Sequence, residues 1–150
     1  MILLGGLLSV LLSLFSCSSS PEEEQIEALS FSFREPLVSW TATPEDVRSF
    51  MDGYEVAAVT TNSLTFKGRD SESSYLYAFS SSKCTLNYVV VAFDLSRKDE
   101  VMRYLDLNYV RQGSSDGKGL FSDATGTTFI WTSQDEALYL TYMSAGYTGR

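Results

Sequence analysis

The chain has 150 residues, of which 44% are hydrophobic and 20% charged, and carries a net charge of −8 at pH 7. Those proportions fit one globular domain, and scattered lysines and arginines on an acidic chain argue against nucleic acid, whose phosphates demand clustered cations. Histidine is absent, which removes the usual base near neutral pH, the commonest metal ligand and every Ser-His or Cys-His nucleophile arrangement. The sequence therefore predicts no cofactor and no metal. A hydrolase built on paired carboxylates or a lysine base stays open as the less favoured reading.

Residues Ile2 to Phe15 form an apolar run too short to span a bilayer but suited to the core of an export signal. Leu14-Phe15-Ser16-Cys17 follows directly. This quartet resembles the bacterial lipobox, with Leu three positions before the Cys and a small residue beside the cut. The resemblance implies a signal peptide over 1–16, a diacylglyceryl group on Cys17, attachment to a membrane through that lipid, and a place in the cell envelope, with the outer membrane expected and its face left open. Phe15 is bulkier than lipoboxes usually carry, and no Lys or Arg precedes the apolar run. Ser18 to Gln25 is small and acidic, with nothing to bury, so residues 17–30 read as a tether. A glutamate run close behind the lipidated Cys resembles lipoproteins of the Bacteroidota. The one other cysteine, Cys84, falls in an alternating apolar pattern and is expected as a buried, unpaired thiol.

The globular part, 31–150, opens with Phe31-Ser32-Phe33 and Leu37-Val38-Ser39-Trp40, two short strand-like pieces separated by Pro36. Thr43-Pro44-Glu45-Asp46 then predicts a helix start: Thr as N-cap, Pro at the first helical position, acids in the first turn. Val47, Phe50, Met51 and Tyr54 follow at helical spacing as an apolar stripe, and Gly53 is placed to stop the helix. Strand patterns follow over 54–60, 64–67, 74–80 and 84–93. Ser96-Arg97-Lys98-Asp99 predicts a second helix with Val101, Tyr104 and Leu105 as its stripe, and strand patterns recur over 108–111, 119–122, 127–132 and 137–144.

An ungapped offset of 54 residues lays Val47 on Val101, Met51 on Leu105, Tyr75 on Phe129 and Tyr77 on Trp131. The pattern predicts an α+β fold made by tandem duplication, with units of about 36–93 and 94–150. Each unit would hold a helix and about four antiparallel strands, giving one curved sheet with both helices on one face. Trp40 followed by Thr43-Pro44-Glu45-Asp46-Val47, with the helix ending at Met51-Asp52-Gly53, resembles the β-lactamase-inhibitory-protein-like fold and envelope lipoproteins of the SmpA/OmlA type. That resemblance implies a domain that binds proteins, as an inhibitor or an assembly factor, and carries over no contact residue.

Motifs for chemistry are weak. Glu45-Asp46 and Asp99-Glu100 sit in helix first turns and Asp135-Glu136 in a hairpin turn, where acids have structural reasons to stand. The Gly113 to Gly119 stretch lacks phosphate-loop spacing and precedes a strand. What remains is aromatic. Tyr75, Tyr77 and Phe79 alternate on one strand face, and Phe129 and Trp131 on the face the offset makes equivalent. These five are the candidate binding surface if the helices cover the other side; if the helices cover this side, they are core. The sequence points to a non-catalytic envelope lipoprotein that binds a protein partner, with a glycan or small ligand as the alternative.

Overall fold

A computed structural model describes residues 31–115 and 118–147. The lipobox, Cys17 and the tether to Ser30 lie outside the described residues, as do Asp116 and Gly117.

Residues 31–42 contain no strand, against the expectation for Phe31–Phe33 and Leu37–Trp40. Pro36 has no N–H to give a ladder, and tyrosine hydroxyls bind residues 34, 35 and 37 of this strap. Tyr75 donates to the Arg34 carbonyl at 2.6 Å, and the Leu37 N–H donates to the Tyr77 hydroxyl at 3.2 Å. The Glu35 carboxylate accepts from Tyr109 at 2.8 Å and also from Tyr104. Phe33 adds edge-to-face contacts with Phe93 and Tyr104, at ring separations of 5.2 and 5.0 Å.

Helix α1, Pro44–Phe50, starts as the sequence predicts. The Asp46 N–H donates to the Thr43 hydroxyl while the Asp46 carboxylate accepts the Thr43 N–H at 2.8 Å, a reciprocal cap. Gly53 follows at φ 83, a conformation a Cβ would oppose. Helix α2, Lys98–Asn108, is preceded by a 3₁₀ turn, Leu95–Arg97. Asp94, not Ser96, caps this turn by accepting the Ser96 N–H at 2.9 Å. The shorter Asp94-Leu95-Ser96 spacing suits a 3₁₀ start, which moves the onset upstream of the predicted one.

Eight strands form one antiparallel sheet: β1 (Val56–Val59), β2 (Ser63–Lys67), β3 (Glu72–Phe79), β4 (Leu86–Phe93), β5 (Val110–Ser115), β6 (Lys118–Ser122), β7 (Thr128–Gln134) and β8 (Leu138–Ser144). Their order is β1-β2-β3-β4-β8-β7-β6-β5, so two four-stranded meanders meet where β4 pairs with β8. Strands β1 and β5 are the edges. The fold is α+β, mostly antiparallel sheet, and the described residues from Phe31 onward form one compact unit. Val47 of α1, Met51 at its C-cap, and Val101 and Leu105 of α2 share one core cluster with Tyr75, Tyr77, Val89, Val91, Phe121, Ile130, Leu140 and Tyr142.

Strand register corrects the offset of 54. Phe66 faces Tyr75 across β2–β3, and Phe121 faces Ile130 across β6–β7, both pairs buried. Register also shifts between Val56 and Ala58 in the first hairpin and between Arg111 and Gly113 in the corresponding one. All of these equivalences lie one residue beyond the offset that matches the helices. Tyr75 therefore corresponds to Ile130 and Tyr77 to Thr132, and a one-residue change of register exchanges the two faces of a strand.

Candidate functional site

The five aromatic candidates divide between opposite faces of the sheet. Tyr75 and Tyr77 are fully buried and Phe79 is 4% exposed, so these three are core and not a binding surface. Alternation puts all three on the face that carries Phe66, Val89 and Val91, and they share one core cluster with Val47, Met51, Val101 and Leu105. Tyr77 reaches Met51 at the C-cap of α1, its hydroxyl 3.5 Å from the sulfur. Burial raises the pKa of both tyrosines well above the ordinary 10.0, because a phenolate there would be desolvated. At the end of β3, Phe79 reaches the wall of a cavity of about 300 Å³ lined also by Pro44, Asn62 and Cys84.

Phe129 and Trp131 point the other way. Phe129 is partly exposed and Trp131 is 40% exposed. Cross-strand pairing builds a continuous row around Trp131: Thr65 faces Leu76, Leu76 faces Val90, Val90 faces Thr141, Thr141 faces Trp131, and Trp131 faces Leu120. A parallel row places Ala78 opposite Tyr88, Tyr88 opposite Met143, and Met143 opposite Phe129. Tyr147 packs on Tyr88 with ring centroids 6.1 Å apart. None of the outward-facing side chains of β3, β4, β8 and β7 is charged. Leu76, Tyr88, Val90 and Met143 are the members of this surface that the sequence reading missed. Their signal was present, as residues alternating with the core positions of their own strands, but it becomes legible only once the covered face is known.

Cys84 is exposed, which corrects the expectation of a buried thiol. The strand begins at Leu86, and Cys84 sits before it in a tight turn with φ 53, its N–H donating to the Ser80 carbonyl at 2.9 Å. Thr85 and Leu86 resemble strand continuation in sequence, and that alternation concealed the turn.

The paired carboxylates do not assemble. Glu45, Asp46, Asp99, Asp135 and Glu136 are exposed, and Glu100 pairs with Arg97 at 2.9 Å. The Thr43 backbone N–H, then its hydroxyl, hold Asp46 below the usual carboxylate range, consistent with its capping role. Glu72 is buried at 4% exposure and accepts the Arg69 N–H at 3.0 Å, tying the β2–β3 turn. Among the described residues no three Cys, Asp or Glu side chains gather as a metal site would require, and no helix is long and apolar enough to cross a membrane. The Gly113 to Gly119 stretch belongs to the β5–β6 hairpin, where Ser114 faces Gly119. Comparison with protein families, with curated proteins and with solved structures found no match for this chain.

Proposed function

We propose that the chain is an envelope-anchored, non-catalytic lipoprotein whose single domain binds a protein partner, as an assembly or inhibitor-type module, through the outward face of the sheet. One observation carries this reading. The rows around Trp131 and Tyr88 are apolar and aromatic, whereas a sheet face left to solvent ordinarily alternates to polar and charged side chains. Aromatic and methionine side chains around a partly exposed tryptophan, with no charge on the same face of β3, β4, β8 and β7, match the composition of interface centres. The neighbours of Trp131 across the sheet are Leu120 and Thr141, not the Asn and Asp that would serve glycan hydroxyls, so a protein is favoured over a saccharide.

The membrane part of the proposal rests on Leu14-Phe15-Ser16-Cys17 and the tether behind it. Internal duplication, with both helices over one face, is the finer architecture we propose. It is supported by two helix-plus-meander units, by the matched hairpin irregularities, and by the four helix residues that share one core cluster. A photo-crosslinking residue placed at position 131, with the protein in its native envelope, should give a discrete adduct. The same residue at Leu107, which is 77% exposed on α2, should give none. Equal adducts at both positions, or an adduct only at 107, would remove the outward face from the reading.

A further inference from the structure

Edge strand β1 reads Val56-Ala57-Ala58-Val59, and all four residues are exposed, Val56 at 42% and Val59 at 57%. An unpaired strand edge invites pairing with another chain, and soluble proteins ordinarily blunt it with charged or polar side chains. The other edge follows that rule. Its hairpin carries the same irregularity, Arg111–Gly113 against Phe121–Leu120 where the first has Val56–Ala58 against Phe66–Thr65. At the places of the two valines and two alanines, β5 therefore presents Arg111, Gln112, Gly113 and Ser114. The backbone plan is shared, and the side chains leave only β1 apolar.

The bulge in β1 shapes this edge without closing it. The Lys67 N–H donates to the Glu55 carbonyl at 2.9 Å, and the Thr60 N–H donates to the Ser63 carbonyl at 3.0 Å. The residues flanking the four thus aim their backbone groups at β2. Direction alternates from one residue to the next, so Val56 and Val59 both turn N–H and C=O to the free side. In a regular strand two residues three apart point in opposite directions; the extra residue of the bulge lets both face outward. Val56 stands opposite Phe66 and Val59 opposite Leu64, both buried, so the two valines also share a sheet face.

We propose that a second copy of this chain pairs with β1, strand against strand and antiparallel, about a two-fold axis that sets Val56 opposite Val59 and Ala57 opposite Ala58. A two-fold contact requires a patch complementary to itself. Val-Ala-Ala-Val reads the same in both directions, and so do its outward backbone groups, which stand at the first and last positions. A strand of an unrelated protein would need an open edge but not this symmetry. Glu55, the adjacent charge, lies outside the four and is paired with Lys67 at 2.5 Å, so like charges do not meet although the chain carries −8. Four residues a side fall short of the roughly 1,200 Å² at which standard interfaces begin, so the dimer is weak, with a dissociation constant of about 10–1,000 μM. The inference goes beyond the protein-binding reading and is independent of it, since pairing at β1 leaves Trp131 on β7 free.

The test mixes two differently tagged full-length copies in a non-ionic detergent at high micromolar concentration, both carrying Cys84→Ser, one with Val56→Cys and the other with Val59→Cys. Directly opposite residues of a hydrogen-bonded pair lie about 5.5 Å apart, within disulfide reach, so mild oxidation should join the two tags. Each variant mixed with itself should give little adduct, because identical positions are offset by three residues, roughly 10 Å along the strands. The same placement on β5, Arg111→Cys with Ser114→Cys, should give none. Ala58 and its copy flank the axis, so Ala58→Glu in both copies should lower the adduct at least tenfold. Ala58→Glu in one copy and Ala58→Lys in the other should restore it, which a folding defect would not. No adduct between the two tags, equal adducts from identical positions or from β5, or a charge pair that fails to restore the adduct would overturn the proposal, and would leave the edge to a strand of another protein or to solvent.

Discussion

Tyr77→Ala and Trp131→Ala separate the two faces of the sheet by energy. Tyr77 is fully buried, touches Met51, and accepts the Leu37 N–H at 3.2 Å. Deleting a buried aromatic ring costs about 3–5 kcal/mol in transfer and cavity terms. The orphaned Leu37 N–H adds roughly 1 kcal/mol, because the strap has no strand partner to take it. The sum, about 4–6 kcal/mol, is comparable with the whole stability of many domains of this size. Tyr77→Phe keeps the ring and should lose only about 1–2 kcal/mol for the hydroxyl. Trp131 is 40% exposed and makes cross-strand contacts with Leu120 and Thr141, so Trp131→Ala should cost about 1–2 kcal/mol. Urea unfolding of the soluble domain, followed by far-ultraviolet circular dichroism, measures all three, with unchanged m-values as the check that the denatured state is the same. A Tyr77→Ala protein no less stable than Trp131→Ala would refute the assignment of faces on which the proposed interface depends.

Cys17→Ala should abolish palmitate labelling and detergent partitioning in a bacterium competent for lipoprotein processing, and labelling that survives the substitution would end the anchoring proposal. Cys84 should react with a thiol reagent at once under native conditions, and Cys84→Gly should raise stability by about 0.5–1 kcal/mol in urea unfolding, because glycine adopts φ 53 without strain. Burial raises Tyr75, Tyr77, Tyr109 and Tyr142 above the ordinary 10.0. A raised folded-state value means stability is complete below 10.0 and is lost as pH rises toward the folded value, so tyrosinate absorbance should appear together with unfolding and not before it. Asp123 feels burial upward, but bonds from Thr127, Thr128 and Thr125 outweigh it and hold the carboxyl low, as Ser96 does for Asp94. Lowered values stabilise above the ordinary 3.8, and that contribution disappears as pH falls through the folded value. Asp123→Asn should therefore flatten the acid limb of a stability-against-pH curve.

Much of the layout was legible because local chemistry agreed with the fold. Thr43-Pro44-Glu45-Asp46 names a capped helix start whatever surrounds it, and the alternating runs identify β2, β3, β4, β7 and β8 to within a few residues. Illegible features were those decided by partners distant in the chain. Phe31 to Trp40 has strand-like composition, yet its partners are Ser71 and the hydroxyls of Tyr75, Tyr77, Tyr104 and Tyr109, which no local pattern announces. Helix spacing tolerates an offset of 54, but strands do not, since a period of two converts one residue of error into the wrong face. Phe129 and Trp131 were thus grouped with Tyr75 and Tyr77 as equivalents, when the structure sets them on opposite sides.

The same slip has a consequence for how one domain can be both sealed and open. Had the second meander repeated the first in strict register, Phe129 and Trp131 would lie inside with the tyrosines, and the outward face would lose both. With the register one residue further on, Ile130 and Thr132 take the inward places and the aromatics move out. The inward face is meanwhile closed by the strap, which Tyr75 holds at Arg34, Tyr109 at Glu35 and Tyr77 at Leu37. Substituting Glu35→Gln weakens the charge-assisted acceptor shared by Tyr104 and Tyr109, at a cost of about 1–2 kcal/mol. If the strap seals the core, hydrogen exchange in Glu35→Gln should accelerate at the Leu37 amide and at the β3 amides beneath the strap, and leave β7 amides near Trp131 unchanged. Equal acceleration on both strands would mean that the strap is not a separable cover and that the domain opens only as a whole.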